Sequence, residues 1–168
     1  SAQLLGDNIT ICSQNAAVLA SGVVYWMGVD KFYSYDGRVQ TLPCDVRRYV
    51  FNNFNTAQQG QVYSGTNEAF NEVWWMYCSA NSSYPDKYVV YNYLEKCWYY
   101  GTINRTSWFD SGLIPNPIST TYDPTTQTGR LILQESGLND NTTGTSLPLN
   151  AYIASSEFDI GEIGRAHV

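Results

Sequence analysis

Val23-Val24-Tyr25-Trp26-Met27, followed by Asp30-Lys31-Phe32-Tyr33-Ser34-Tyr35, is answered further along the chain by Val73-Trp74-Trp75-Met76-Tyr77, followed by Asp86-Lys87-Tyr88-Val89-Val90-Tyr91. Each copy is an aromatic, β-prone run, a connector and a second aromatic run, which reads as a pair of strands. From Trp26 to Trp75 is 49 residues, a period typical of propellers, solenoids and arrays, and aromatic strands favour the propeller. Residues 23–27 are apolar at every position, so both faces of this strand need cover, as in strands stacked between neighbouring sheets.

Working outward from the first copy, Gly28-Val29-Asp30 is a short turn and residues 31–35 return as a partner strand. Asp36-Gly37 is a strong turn signal before a strand at 39–42, giving a three-strand meander. Asn8-Ile9-Thr10-Ile11 also looks strand-like. After Pro43-Cys44, Asp45 is placed to cap a short helix whose Val46, Tyr49, Val50 and Phe54 share one face. Arg47 and Arg48 then fall on a solvated helix face.

Around the second copy, residues 61–64 predict a strand and Gly65-Thr66-Asn67 a turn. In the run that follows, Val73, Trp75 and Tyr77 alternate with Trp74, Met76 and Cys78, so both faces are again apolar. Trp75 to Asp86 spans 11 residues where Trp26 to Asp30 spans four, so Ala80-Asn81-Ser82-Ser83-Tyr84-Pro85 is an inserted loop, the kind of insertion that repeat proteins place on a binding face. Residues 88–93, the turn Leu94-Glu95-Lys96 and residues 97–102 form the clearest hairpin, kelch-like in appearance. Strands at 118–122, 130–134 and 151–155 predict a third, degenerate unit, with Asp123-Pro124 and the polar run 139–146 as connectors.

The predicted fold is therefore all-β: a partial, propeller-like array of antiparallel meanders in about three blade-like units (about 9–54, 61–105 and 106–160), with one short helix. Residues 1–161 read as a single β-rich domain cut from a longer chain, since closed propellers use four to eight blades. The last residues, Ile163-Gly164-Arg165-Ala166-His167-Val168, match the translation of a common sequencing-library adapter, so 162–168 reads as an artefactual tail and His167 is given no function.

Composition narrows the function classes. The 168 residues are 43% hydrophobic and 15% aromatic, enough for a real core. Nine basic against fifteen acidic residues give a net charge of -6, which removes any bulk attraction to phosphate backbones and argues against specific nucleic-acid binding. Apolar runs such as 16–20 are far too short to cross a bilayer. Cys12, Cys44, Cys78 and Cys97 lack C-x-x-C spacing, which argues against a zinc site, and read first as small apolar residues in or beside strands rather than as disulfides, with their oxidation state left open.

No chemistry-bearing motif stands out. The carboxylates mostly sit beside Gly, Pro or Asn, at turn positions, and no pair across a sugar is legible. The Asp-box signature of sialidase-type propellers, a phosphate loop, serine-nucleophile motifs and an EF-hand at Asn139-Asp140-Asn141 are all missing from the sequence. No catalytic, cofactor-binding or metal residue is assigned, and the chain reads as a non-enzyme. Tryptophan and tyrosine faces can stack on sugars, but inside apolar strands they read first as core. Asn-x-Ser/Thr sequons begin at Asn8, Asn81, Asn104 and Asn141.

The run Gly22 to Gly28, Asp36-Gly37-Arg38-Val39-Gln40, Glu72-Val73-Trp74-Trp75 and Tyr88-Val89-Val90-Tyr91-Asn92-Tyr93 resembles an uncharacterised group of virion structural proteins from tailed bacteriophages, over about residues 9–160. By analogy these are similar to the β-propeller-containing tail hub or nozzle components of short-tailed phages. The resemblance implies a non-enzymatic virion subunit, assembled in the bacterial host cytoplasm, joining other virion proteins and forming a homo-oligomeric ring around the tail channel. An acidic wall suits a DNA conduit because it does not grip phosphate. The alternatives are a carbohydrate-binding propeller module that recognises host-surface glycan and, behind it, a propeller glycoside hydrolase.

Overall fold

Strands β1 (Ala17–Ala20), β2 (Val23–Met27), β3 (Phe32–Tyr35) and β4 (Val39–Leu42) form one antiparallel meander in the computed structural model, which describes residues 2–149. This sheet has one strand more than the sequence predicts. The extra hairpin closes through Ser21 (φ 48°) and Gly22 (φ 78°), the two positive-φ residues of a turn whose twist matches the strands it joins. Asp36-Gly37 turns β3 into β4 as expected, with Gly37 at φ 113° and the Asp36 carboxylate accepting from Gln40 Nε2 at 3.2 Å. Residues 8–11, read as strand-like, are irregular instead: no strand pairs with them, and they lie across the first sheet.

Helix α1 (Arg47–Asn52) follows, starting one residue later than Asp45 implies. Val46 occupies the cap position without a side-chain bond, and the first N–H, from Arg47, is satisfied by the Cys44 carbonyl at 3.3 Å. The Asp45 carboxylate is therefore not the cap. Val50 is fully buried, and Val46, Phe51 and Phe54 pack with it. Tyr49 turns outward, where its ring stacks on Tyr100 at 3.8 Å. A 3-10 stretch, Thr56–Gln61, capped by the Asn55 side chain, leads into the next sheet.

The second sheet repeats the up-and-down order with β5 (Tyr63–Asn67), β6 (Glu72–Tyr77), β7 (Lys87–Asn92) and β8 (Cys97–Thr102). Gly65-Thr66-Asn67, read as a turn, is strand: a Cβ at Gly65 would lie 2.1 Å from Trp108 Cδ1. The glycine is there for close packing, and the chain turns later, through the 3-10 stretch Glu68–Phe70 and the left-handed Asn71 (φ 60°). The β7–β8 turn is closed by Asn92 Oδ1, which accepts from the N–H groups of Leu94 and Glu95 at 3.1 and 2.9 Å.

A third sheet comprises β9 (Ser107–Phe109), β10 (Ile118–Asp123) and β11 (Thr128–Leu133), in that order. The strands expected at 118–122 and 130–134 are present, and β9 pairs on the other side of β10. The strand expected at 151–155 and the tail at 162–168 lie outside the described residues. The larger compact unit runs to Ser136, and a smaller one begins at Gly137. Within the smaller unit, β12 (Asn139–Asp140) and β13 (Leu147–Pro148) make a minimal hairpin where the sequence suggests only a polar connector.

The faces explain the repeat. Tyr25, Met27 and Phe32 of the first sheet pack against Val73, Trp75, Tyr77, Val89 and Tyr91 of the second, with Phe32 5.0 Å from Trp75 and Tyr25 5.8 Å from Tyr91. Side chains alternate along a strand, so Trp26 points away from the second sheet while Trp75, its repeat partner, points toward the first. Both tryptophans face the same way along the stack. Residues that recur after one period keep their orientation, so the sheets stack head to tail, as propeller blades do, rather than face to face about a two-fold axis. The first strands β1, β5 and β9 lie successively against one another along one edge of the three sheets.

Candidate functional site

Three indoles report the direction of stacking. Trp26 Nε1 donates to the Thr10 carbonyl at 3.1 Å, Trp75 Nε1 to the Ala16 carbonyl at 2.9 Å and Trp108 Nε1 to the Thr66 carbonyl at 2.7 Å. Each bond runs backward, from one sheet to the main chain before it. Buried indole N–H groups need such partners, so each tryptophan fixes spacing and register as well as burying its rings. Trp108 also stacks on Trp74, with centroids 5.1 Å apart and planes at 14°.

Since Trp108 points back to the second sheet, its neighbour Phe109 points forward. The register carries that side across the sheet: Phe109 opposite Ile118, Ile118 opposite Leu133, and Thr120 opposite Leu131. Phe109 is 59% exposed, Leu131 73%, Leu133 52% and Tyr122 38%. Single exposed leucines are ordinary, but here four exposed apolar residues share one side of the sheet around the hydrogen-bonded Ser107 and Thr120 hydroxyls, which makes this side a candidate contact surface. On the opposite side of the same sheet, Gln134 Nε2 donates to Ser119 Oγ at 2.7 Å and Arg105 to Gln134 Oε1 at 3.4 Å, a buried polar set behind Trp108. The sequence shows the apolar residues but not that they share a face, which only the β9–β10–β11 register reveals.

The loop 80–85, expected on a binding face, is closed onto the body. Asp86 accepts from the Ser79 N–H at 2.7 Å and from Ser79 Oγ at 2.6 Å, Asn55 Nδ2 donates to the Ser82 carbonyl at 2.9 Å, and Pro85 is fully buried. Next to it, an exposed aromatic group does form. Tyr49 stacks on Tyr100, and Lys87 Nζ both donates to Tyr49 Oη at 3.1 Å and lies 5.5 Å from its ring centroid.

The carboxylates serve turns and caps. Asp30 accepts from Arg47, whose Nε also reaches the Asp30 carbonyl, tying α1 to the β2–β3 turn; Asp110 accepts from the Glu68 N–H, and Asp123 from the Thr125 N–H. Glu72 is buried on the forward face of the second sheet and accepts from Trp74 Nε1 at 2.8 Å and from Tyr99 Oη. Burial first, and then this bond to the carboxylate, pushes the Tyr99 hydroxyl above its ordinary range. Burial likewise pushes the Cys12 and Cys44 thiols up to about 12 and Cys78 to about 11, so these thiols stay protonated and unreactive at neutral pH. Among the described residues all four cysteines are free thiols, no cluster of three metal-ligating side chains occurs, and no helix is long and apolar enough to cross a membrane.

The described residues thus offer a largely apolar sheet face and an exposed aromatic edge. No protein-family model matches this chain, and no curated protein matches it.

Proposed function

We propose that this chain is a non-enzymatic assembly subunit of a tailed-phage virion, of the tail hub or nozzle type, which works by packing its sheets against other virion proteins. The observation that carries the assembly half of this reading is the exposed Phe109–Tyr122–Leu131–Leu133 face at the end of a head-to-tail stack. The resemblance of the aromatic strand motifs to phage virion proteins supplies the other half. The dispersed turn carboxylates and the closed 80–85 loop fit a scaffold better than a catalyst. The test is to recover the gene with its neighbours and to search purified virions for its peptides. Portal, head and tail genes alongside, with peptides at structural-protein abundance, are the expected result. A neighbourhood of metabolic genes, or virions without the protein, overturns the reading.

The exposed Tyr49–Tyr100 stack beside Lys87 favours a second reading, a module that binds host-surface glycan, because aromatic faces take apolar sugar surfaces. A glycan array separates the two: binding that disappears in Tyr100→Ala moves recognition ahead of assembly.

A further inference from the structure

We infer that the Tyr49–Tyr100 edge holds an acidic sugar, a uronic or sialic acid unit whose ring lies on the aromatic surface and whose carboxylate meets the Lys87 ammonium. The inference rests on the glycan-binding reading and deepens it by naming the class of sugar. Strand register brings the parts together. Tyr77, Lys87 and Thr102 stand opposite one another on β6, β7 and β8, and Tyr100 comes two residues before Thr102, so all four project from one face of the second sheet. Tyr49 reaches the same face from α1 and stacks on Tyr100 with the planes at 30°. Each ring covers one face of the other, yet Tyr49 is 36% and Tyr100 45% exposed, so aromatic surface is left to solvent beside the exposed Thr102.

Charge selects the sugar. Lys31 and Arg47 both pair with Asp30, whereas Lys87 has no ion pair among the described residues: its Nζ donates to the Tyr49 hydroxyl and lies over the Tyr49 ring. Asp86, its neighbour in sequence, directs both carboxylate oxygens at Ser79. A carboxylated ligand therefore meets an ammonium that is oriented by a tyrosine and not neutralised by the protein, and such charge-assisted bonds are the stronger kind. The net charge of -6 gives anions no bulk attraction, so their recognition has to be local. Beneath the rings, Tyr77 Oη is buried without a hydrogen-bond partner, and Tyr49, Asp86 and Tyr100 are its electrostatic neighbours. An unpaired buried hydroxyl is costly, and its place under the platform suits a ligand that brings hydroxyls of its own, a sugar rather than an acidic peptide.

The experiment is a calorimetric titration of the full chain with sialyllactose against lactose and with glucuronic acid against glucose, at low and at high salt. It is repeated on Lys87→Gln, Lys87→Arg and Tyr100→Ala, whose circular dichroism is expected to match wild type because these side chains are at least partly exposed. The acidic member of one pair is expected to bind about tenfold tighter than its neutral partner. That preference is expected to vanish in Lys87→Gln, to weaken at high salt and to survive in Lys87→Arg, while Tyr100→Ala loses binding of both members. Which pair responds separates a sialic from a uronic source. Equal binding of acidic and neutral probes, or a preference unchanged in Lys87→Gln, overturns the inference and leaves the glycan reading standing. Absence of binding to all four probes also overturns it, and the glycan array on the same protein then decides whether the wider reading falls with it.

Discussion

Trp26, on the backward face of the first sheet, is only 9% exposed, whereas Leu131, on the forward face of the third, is 73% exposed. Among the described residues, the backward face of the first sheet is largely covered and the forward face of the third is not. On the first sheet, the irregular N-terminal segment stands where a preceding sheet would: the Thr10 carbonyl takes the Trp26 indole, Thr10 Oγ1 accepts from the Val29 N–H at 3.1 Å, and the Cys12 N–H donates to the Met27 carbonyl at 3.0 Å. Repeat arrays need such caps because a sheet face left apolar invites association. Among the described residues the third sheet has three strands where the first two have four, and Phe109, Leu131 and Leu133 on its forward side are exposed. The contrast places most of the buried core in the first two sheets.

The largest effect is expected where the capped half is held together. Trp75 is fully buried, touches both Phe32 and Trp98, and bonds the Ala16 carbonyl. Trp75→Ala is expected to cost about 3–5 kcal/mol in urea unfolding, with loss of the whole cooperative transition. A cost under about 1 kcal/mol would mean that the first two sheets are not one core.

Alkaline titration tests the same half. Cys12, Cys44 and Cys78 are held protonated by burial, up to about 12, 12 and 11 against an ordinary 9.0. The unfolded chain loses these protons above pH 9 and the folded one keeps them, so stability is constant below that pH and falls as pH rises toward 12. A thiol reagent at pH 8 is expected to modify exposed Cys97 rapidly and the other three only on unfolding. Four equally fast thiols would break the comparison.

Smaller effects are expected at single positions of the second sheet. Gly65→Ala places a Cβ against Trp108 Cδ1 and is expected to cost about 1–3 kcal/mol, loosening the third sheet in preference to the first two. Tyr77 Oη is buried without a hydrogen-bond partner. Tyr77→Phe removes that uncompensated group while keeping the ring, so a gain of about 1 kcal/mol in the midpoint stability is expected. A loss of similar size would show that the hydroxyl is satisfied in solution. On the forward side of the third sheet, Leu131→Ser is expected to change the stability by less than about 0.5 kcal/mol, since little is buried there to lose.

Much of the capped half is legible in the sequence. The alternation in residues 73–78, the apolar run 23–27 and the Asp36-Gly37 turn are strong local signals, and their strands form as read. What is missed depends on partners distant in sequence. The β1–β2 hairpin turns on Ser21-Gly22, whose positive φ values are not announced by the usual Asn-Gly or Asp-Gly pair. Gly65-Thr66-Asn67 has turn composition, but Trp108 packing against Gly65 keeps it in a strand. Asp45 has a cap residue's identity and loses the role to a backbone carbonyl one residue earlier. The candidate contact face is hardest to see: Phe109 belongs to a three-residue strand, and its alignment with Leu131 and Leu133 exists only through Ile118 and Thr120 of the strand between them.

Hydrogen exchange of the full chain tests the contrast most directly. The account predicts that amides in β6 and β7, whose side chains are buried on both faces, exchange more slowly than those in β10 and β11. Protection in β10 and β11 that equals β6 would contradict it.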